Sequence, residues 1–173
     1  NNATIFVAGD STACNYKTSG EKNDFPRTGW AQVLGNFFTD GVSVNNLALS
    51  GRSSLSFRSE ANYKTIINGM KPGDYFIIQF GHNDCANGTG YLEDRYVPLG
   101  TPDADGVYPS TAGTKTATPS SLVSKYGDTF YSYNCGGTYK WYLQQYIDAA
   151  KSVGAIPVLV TPVSRLYYNS DGT

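Results

Sequence analysis

Apolar residues gather in four short runs, at 4–8, 42–49, 74–80 and 156–160, each rich in Val, Ile, Leu or Phe. Three are nearly continuous rather than alternating, which suits strands of a parallel sheet covered on both faces. Between them the period changes. In 29–38 the apolar positions Trp30, Val33, Leu34, Phe37 and Phe38 follow a helical spacing, with Gly41 as a stop signal. A weaker helix is expected over 60–70, with Ile66, Ile67 and Met70 on one side. The clearest is 139–153, carrying Trp141, Leu143, Tyr146, Ile147 and Ala150, with Gly154 where a left-handed cap would sit. The order strand, helix, strand, helix, strand, long loop, helix, strand predicts an α/β fold, a three-layer α/β/α sandwich around a parallel sheet. One domain over 1–173 is expected, interrupted by a loop insertion at 85–137 that is dominated by Gly, Ser, Thr, Pro, Tyr and Asn.

Ligands of open parallel sheets bind beyond the C-terminal ends of the strands. The residues that follow each run are therefore the candidate chemistry. After the first run comes Gly9-Asp10-Ser11-Thr12, where a serine can face the cleft with its own N–H turned toward a developing oxyanion. Taken alone this is also ordinary turn and N-cap chemistry. After the second run, Gly51 can present another N–H in the stretch Ser50-Gly51-Arg52-Ser53-Ser54. After the third, Gly81-His82-Asn83-Asp84 offers the Asn83 amide as a donor, and Asp84 could brace the loop. A serine nucleophile and three donors at successive strand ends are what acyl transfer needs.

Composition narrows the class. Lys and Arg number 13 against 14 Asp and Glu, for a net charge of −1, so there is no basic excess for nucleic acid. No run is long and apolar enough for a membrane span, and no leader pattern opens the chain. Charged residues make up 16% and aromatics 14%, a balance common among secreted, sugar-handling proteins. An extracellular location is the expectation. The cysteines Cys14, Cys85 and Cys135 fit no zinc spacing. Cys85 and Cys135 flank the same loop and are the favoured pair in an oxidising compartment, with connectivity left open.

The three blocks resemble those of the GDSL, or SGNH, hydrolases. Phe6-Val7-Ala8-Gly9-Asp10-Ser11-Thr12, Gly51-Arg52-Ser53 and Phe80-Gly81-His82-Asn83-Asp84 are most similar to the rhamnogalacturonan acetylesterase subgroup. The resemblance implies the flavodoxin-like SGNH fold and a carbohydrate esterase that removes acetyl groups from plant cell-wall polysaccharide, pectin or rhamnogalacturonan first and xylan as the alternative. Ser11 would be the nucleophile, and Ser11 N–H, Gly51 N–H and the Asn83 amide the oxyanion hole. No cofactor or metal is implied. Asp10, Arg52 and His82 are the candidate substrate contacts, Arg52 because a guanidinium can pair with a uronate. Six loop tyrosines, Tyr91, Tyr96, Tyr108, Tyr126, Tyr131 and Tyr133, offer faces for stacking on sugar rings.

The departure is equally specific. These hydrolases take their base and its orienting acid from a later Asp-x-x-His block. This sequence has none, and its single histidine is His82. Neighbouring residues on a strand end diverge, so if Asn83 faces the cleft His82 turns away from it. The expectation is an N-terminal portion of the fold, with the C-terminal Asp and His either on a second polypeptide or outside the sequence at hand. The alternative is a non-catalytic carbohydrate-binding or inactive form of the fold. The intact Ser11, Gly51 and Asn83 set speaks against that alternative.

Overall fold

The computed structural model describes residues 2–17, 24, 26–85, 95–113 and 136–164. The expected Cys85–Cys135 pair, and four of the six tyrosines (Tyr91, Tyr126, Tyr131 and Tyr133), involve residues outside these. Four parallel strands form one sheet: β1 (Ala3–Gly9), β2 (Val42–Asn46), β3 (Tyr75–Gln79) and β4 (Ile156–Leu159), in the order β2-β1-β3-β4. The registers set Ile5 beside Val44 and Tyr75, Val7 beside Asn46 and Ile77, and Ile77 beside Val158.

Strand alternation sorts the apolar residues into two layers. Phe6, Ala8, Phe76 and Ile78 point to the face covered by α1 (Ala61–Gly69) and α2 (Tyr139–Ser152). There they pack on Tyr63, Ile66 and Met70 from α1 and on Tyr146 and Ala150 from α2. Phe57 and Phe80 join this cluster, and the Phe57 and Phe80 rings lie 5.4 Å apart between centroids. Helix α2 begins where the Thr138 side chain caps the Trp141 N–H, and Gly154 beyond it adopts φ +76°, the left-handed conformation expected from its position.

The opposite face carries Ile5, Val7 and Ile77. The amphipathic pattern over 29–38 predicted an α-helix here, and the structure has two 3₁₀ turns instead, at Trp30–Gln32 and Leu34–Phe37. Gly35 falls in the middle of the segment and weakens helix propagation, while Phe37 stays largely exposed. The turns place Trp30, Ala31 and Leu34 over β1 and β2, and Trp30 reaches the end of β3 at Gln79. The second expected strand also ends early, at Asn46. Leu47 and Leu49 still donate their N–H groups to the carbonyls of Val7 and Gly9, both at 3.0 Å, so the chain stays beside β1 up to the turn that follows.

Candidate active site

In this strand order the chain leaves β1 toward β2 and leaves β3 toward β4. The C-terminal ends of β1 and β3 therefore flank the switch point, where a crevice opens in such sheets. Ser11 follows β1 and Asn83 follows β3.

Three close approaches shape the Ser11 turn. A Cβ on Gly9 would come within 3.2 Å of both Ala13 Cβ and the Gln79 carbonyl, so only glycine lets the turn lie against β3. Asp10 is fully buried. Its carboxylate accepts from the Thr12 N–H and the Thr12 hydroxyl, both at 2.8 Å, while its carbonyl accepts from the N–H groups of Ala13 (3.1 Å) and Cys14 (3.0 Å). This makes Asp10 a brace inside the turn, with its carboxylate directed at Thr12. The Ser11 carbonyl accepts from the Tyr16 hydroxyl at 2.7 Å. Ser11 itself is half-buried, and among the described residues no hydrogen-bond partner holds its hydroxyl.

Gln79 was not singled out by sequence, yet it is the hub beneath this turn. Buried at the end of β3, its Oε1 accepts from Trp30 Nε1 at 2.6 Å and lies 3.1 Å from the Thr12 hydroxyl. Its Nε2 donates to the Thr161 carbonyl at 2.9 Å, past the end of β4. A glutamine in an apolar strand, placed two residues before Gly81-His82-Asn83, was the available signal.

The second and third turns grip each other. Asn83 Nδ2 donates to the Arg52 carbonyl at 3.0 Å, which sets the amide beside the Gly51 turn. Asp84 Oδ1 accepts from the Ser54 N–H at 3.0 Å and from the Ser54 hydroxyl. The Ser54 carbonyl accepts from the buried Tyr146 hydroxyl at 2.7 Å, and the Phe80 carbonyl accepts from the Tyr139 hydroxyl. Gly51 has φ +73°, where side chains are strained. The Arg95 guanidinium lies against this glycine, its Nη1 3.2 Å from where a Cβ would stand. Nothing in the sequence ties Arg95 to Gly51, because the contact joins the long loop to the turn across the fold.

Asp84 is the electrostatically unusual group. Burial, opposed by the Ser54 hydrogen bonds and reinforced by the nearby Asp10 charge, raises its pKa from 3.8 to about 7. Its second oxygen, Oδ2, is buried without a hydrogen-bond partner. Burial likewise pushes the Tyr139 and Tyr146 hydroxyls above their usual range, so both remain protonated donors.

The remaining expected contacts are engaged within the fold. Arg52 Nε lies 2.7 Å from Glu60 Oε1, an ion pair with both side chains about one-fifth exposed. His82 places Nδ1 2.9 Å from the Val163 carbonyl; a carbonyl only accepts, so this nitrogen carries the proton. His82 is thereby turned toward the segment after β4. Cys14 is buried and Cys85 exposed, and the two are not joined to each other.

An open parallel sheet with a serine turn and an amide-bearing turn on either side of its switch point is the layout of an α/β acyl hydrolase. The profile of the GDSL-like lipase/acylhydrolase family matches residues 5–164, and the chain belongs to that family. It is 31% identical over 166 residues to the probable rhamnogalacturonan acetylesterase YesY of Bacillus subtilis, covering 96% of this chain and 56% of the relative. It is also 31% identical over 168 residues to the rhamnogalacturonan acetylesterase RhgT of the same organism, covering 97% of this chain and 52% of that one. The crystal structure of protein YxiM from Bacillus subtilis superposes with a TM-score of 0.57 at 26% identity, over 99% of this chain and 36% of YxiM. The chain thus spans about half the length of the curated relatives it matches along nearly its whole sequence.

Proposed function

We infer that this chain carries the nucleophile and oxyanion-binding half of a serine acetylesterase acting on acetylated rhamnogalacturonan. The observation that carries this reading is the Ser11 turn at the switch point, opposite an Asn83 amide held against the Gly51 turn. Two relatives at 31% identity whose names specify that polymer support the substrate.

In the reaction, Ser11 Oγ attacks the acetyl carbonyl carbon and gives its proton to a base. Ser11 N–H, Gly51 N–H and the Asn83 amide stabilise the oxyanion, each contributing about 3–4 kcal/mol in the transition state. The carbon–oxygen bond to the sugar then breaks, and the sugar hydroxyl leaves with the proton. Water attacks the acetyl-serine by the same route in reverse, releasing acetate. The base is not assigned to His82, whose Nδ1 bond to the Val163 carbonyl turns the ring toward the segment after β4. The base and its orienting acid would come from polypeptide outside these 173 residues, in the same chain or a second one. The substrate is a wall polymer, so the working location would be extracellular, with neither a nucleic acid nor a membrane as partner.

The test is covalent labelling of the full-length protein with a fluorophosphonate. Label is expected on the peptide containing Ser11 and absent from Ser11→Ala, whose acetylesterase rate should drop by about 10³-fold or more. A label on another residue, or undiminished hydrolysis by Ser11→Ala, would overturn the reading.

A further inference from the structure

Residues 95–113 contain no helix and no strand, yet their backbone is pinned along its length. The Val97 N–H donates to the Asp84 carbonyl at 3.0 Å, and the Tyr139 N–H to the Pro98 carbonyl at 2.9 Å. Lys140 Nζ reaches the Tyr108 carbonyl at 2.7 Å, and the Thr138 hydroxyl the Pro109 carbonyl at 2.9 Å. Val97 is buried against Leu55 and Tyr142. The loop is therefore a fixed wall built on the N-terminus of α2, not a free excursion.

This wall presents a concave apolar surface. Tyr96, Val97, Pro98, Leu99 and Tyr108, with Cys85, line an open groove of about 400 Å³. Tyr96 is 42% exposed and Tyr108 38% exposed, although the backbone carrying them is held. Cys85, Val97 and Leu99 also line a smaller hollow of about 170 Å³ that reaches Gly81 and Asp84, the residues on either side of His82 and Asn83. The groove is thus continuous with the third strand-end turn. Among the described residues that line it there is no charged side chain.

Two held aromatic side chains on an apolar floor suit a ring with a hydrocarbon face and hydroxyls on its rim. They do not suit a uronate, which calls for a guanidinium or ammonium partner. Arg52 is paired with Glu60 and Arg95 lies against Gly51, and neither lines this groove. We propose that the Tyr96–Tyr108 groove is a subsite for a neutral sugar ring of the glycan whose acetyl ester lies at Ser11. In rhamnogalacturonan that ring is the deoxyhexose, whose methyl group adds to its apolar face. This inference rests on the esterase reading for the identity of the polymer.

The experiment compares two substrates in the full-length protein: acetylated rhamnogalacturonan oligosaccharide and 4-nitrophenyl acetate, which carries no sugar ring. The variants are Tyr96→Ala, Tyr108→Ala, their double, and the ring-keeping pair Tyr96→Phe and Tyr108→Phe. In the double alanine variant, KM for the oligosaccharide is expected to rise about tenfold, with kcat within about twofold. Hydrolysis of 4-nitrophenyl acetate should be unchanged, and the phenylalanine variants should stay close to wild type. An unchanged oligosaccharide KM in the double variant, or equal losses on both substrates, would overturn the subsite. Failure of the esterase reading is separable, because it would appear as wild-type rates in Ser11→Ala. In that event calorimetric binding of deacetylated oligosaccharide to wild type and to the double alanine variant still decides the groove. Tenfold weaker binding in the variant upholds it and equal binding overturns it.

Discussion

The two faces of the sheet are built to different degrees of closure. On one, α1 and α2 cover β1 and β3, and Phe76, Ile78, Phe80, Tyr146 and Ala150 are buried to 1% exposure or less. On the other, the 3₁₀ turns cover β1 and β2 and reach β3 at Ile77 and Gln79, leaving the start of β3 and all of β4 uncovered among the described residues. Ala3, Ile5, Phe38, Val42, Tyr75, Ile77 and Val158 line a hollow of about 380 Å³ there. Tyr75 is 40% exposed, Ile156 44% and Val158 37%, the last two on a strand with no partner on its outer edge among the described residues. An apolar face and open edge of this extent are uncommon on a finished surface. Together with relatives about twice as long, this supports the proposal that further polypeptide packs against β3 and β4.

The same division runs through the site. The Ser11 turn is anchored on the open side, through Gln79, Trp30 and Thr12. The Gly51 and Asn83 turns are anchored on the closed side, through Tyr146 and Tyr139. The proposed donors are thus backed by the closed side of the core, while the proposed nucleophile stands on the less covered half.

The largest effect that sharpens this comparison is expected at the closed-side donor. Asn83→Ala should lower kcat of the full-length enzyme by about 10²–10³-fold, the cost of one oxyanion donor, with a smaller change in KM. Comparable losses in KM alone would mean that the amide binds substrate and does not stabilise the transition state.

A paired substitution then tests the faces themselves. Ile78→Ala removes a side chain that is 1% exposed on the closed face and should cost about 2–5 kcal/mol by denaturant unfolding. Val158→Ala, at 37% exposure on the open face, should cost under about 1 kcal/mol in this 173-residue chain. The same substitution in the full-length protein should cost distinctly more if further polypeptide covers β4. Equal small costs in both would break the comparison.

The smallest effect concerns pH. The folded pKa of Asp84, about 7, lies above its ordinary 3.8, so the folded state favours the protonated carboxyl. Its contribution to stability is fully present below about pH 4 and is lost as pH rises through 7. Asp84→Asn keeps an acceptor for Ser54 and removes this titration. The difference in melting temperature between variant and wild type should therefore shift in the variant's favour between pH 5 and pH 8. A difference that is flat over that range would mean that Asp84 is not titrating there.

Much of this architecture was legible in the sequence because it depends on local rules. Near-continuous apolar runs mark parallel strands, a capped amphipathic period marks 139–152, and glycines with polar residues mark the strand ends. The segment 29–38 misled for a physical reason. Its apolar spacing is helical, but Gly35 and the absence of a covering partner beyond β2 left two 3₁₀ turns as the packed solution. Asp10 and Arg52 misled differently. A charged residue near a cleft reads as a substrate contact until its partner is known, and here Thr12 and Glu60 are those partners.

The sequence by itself determined the strand order of events along the chain, the family, and the three turns that bear Ser11, Gly51 and Asn83. Periodicity and turn chemistry act over a few residues and can be read without coordinates. Only the tertiary structure decided that Gln79 supports the Ser11 turn, that Asp84 locks the second turn to the third, that Arg95 lies on Gly51 and that one face of the sheet stays open. Each of these joins residues about 30 to 80 positions apart or depends on what covers a surface, and such contacts are set by how the layers pack.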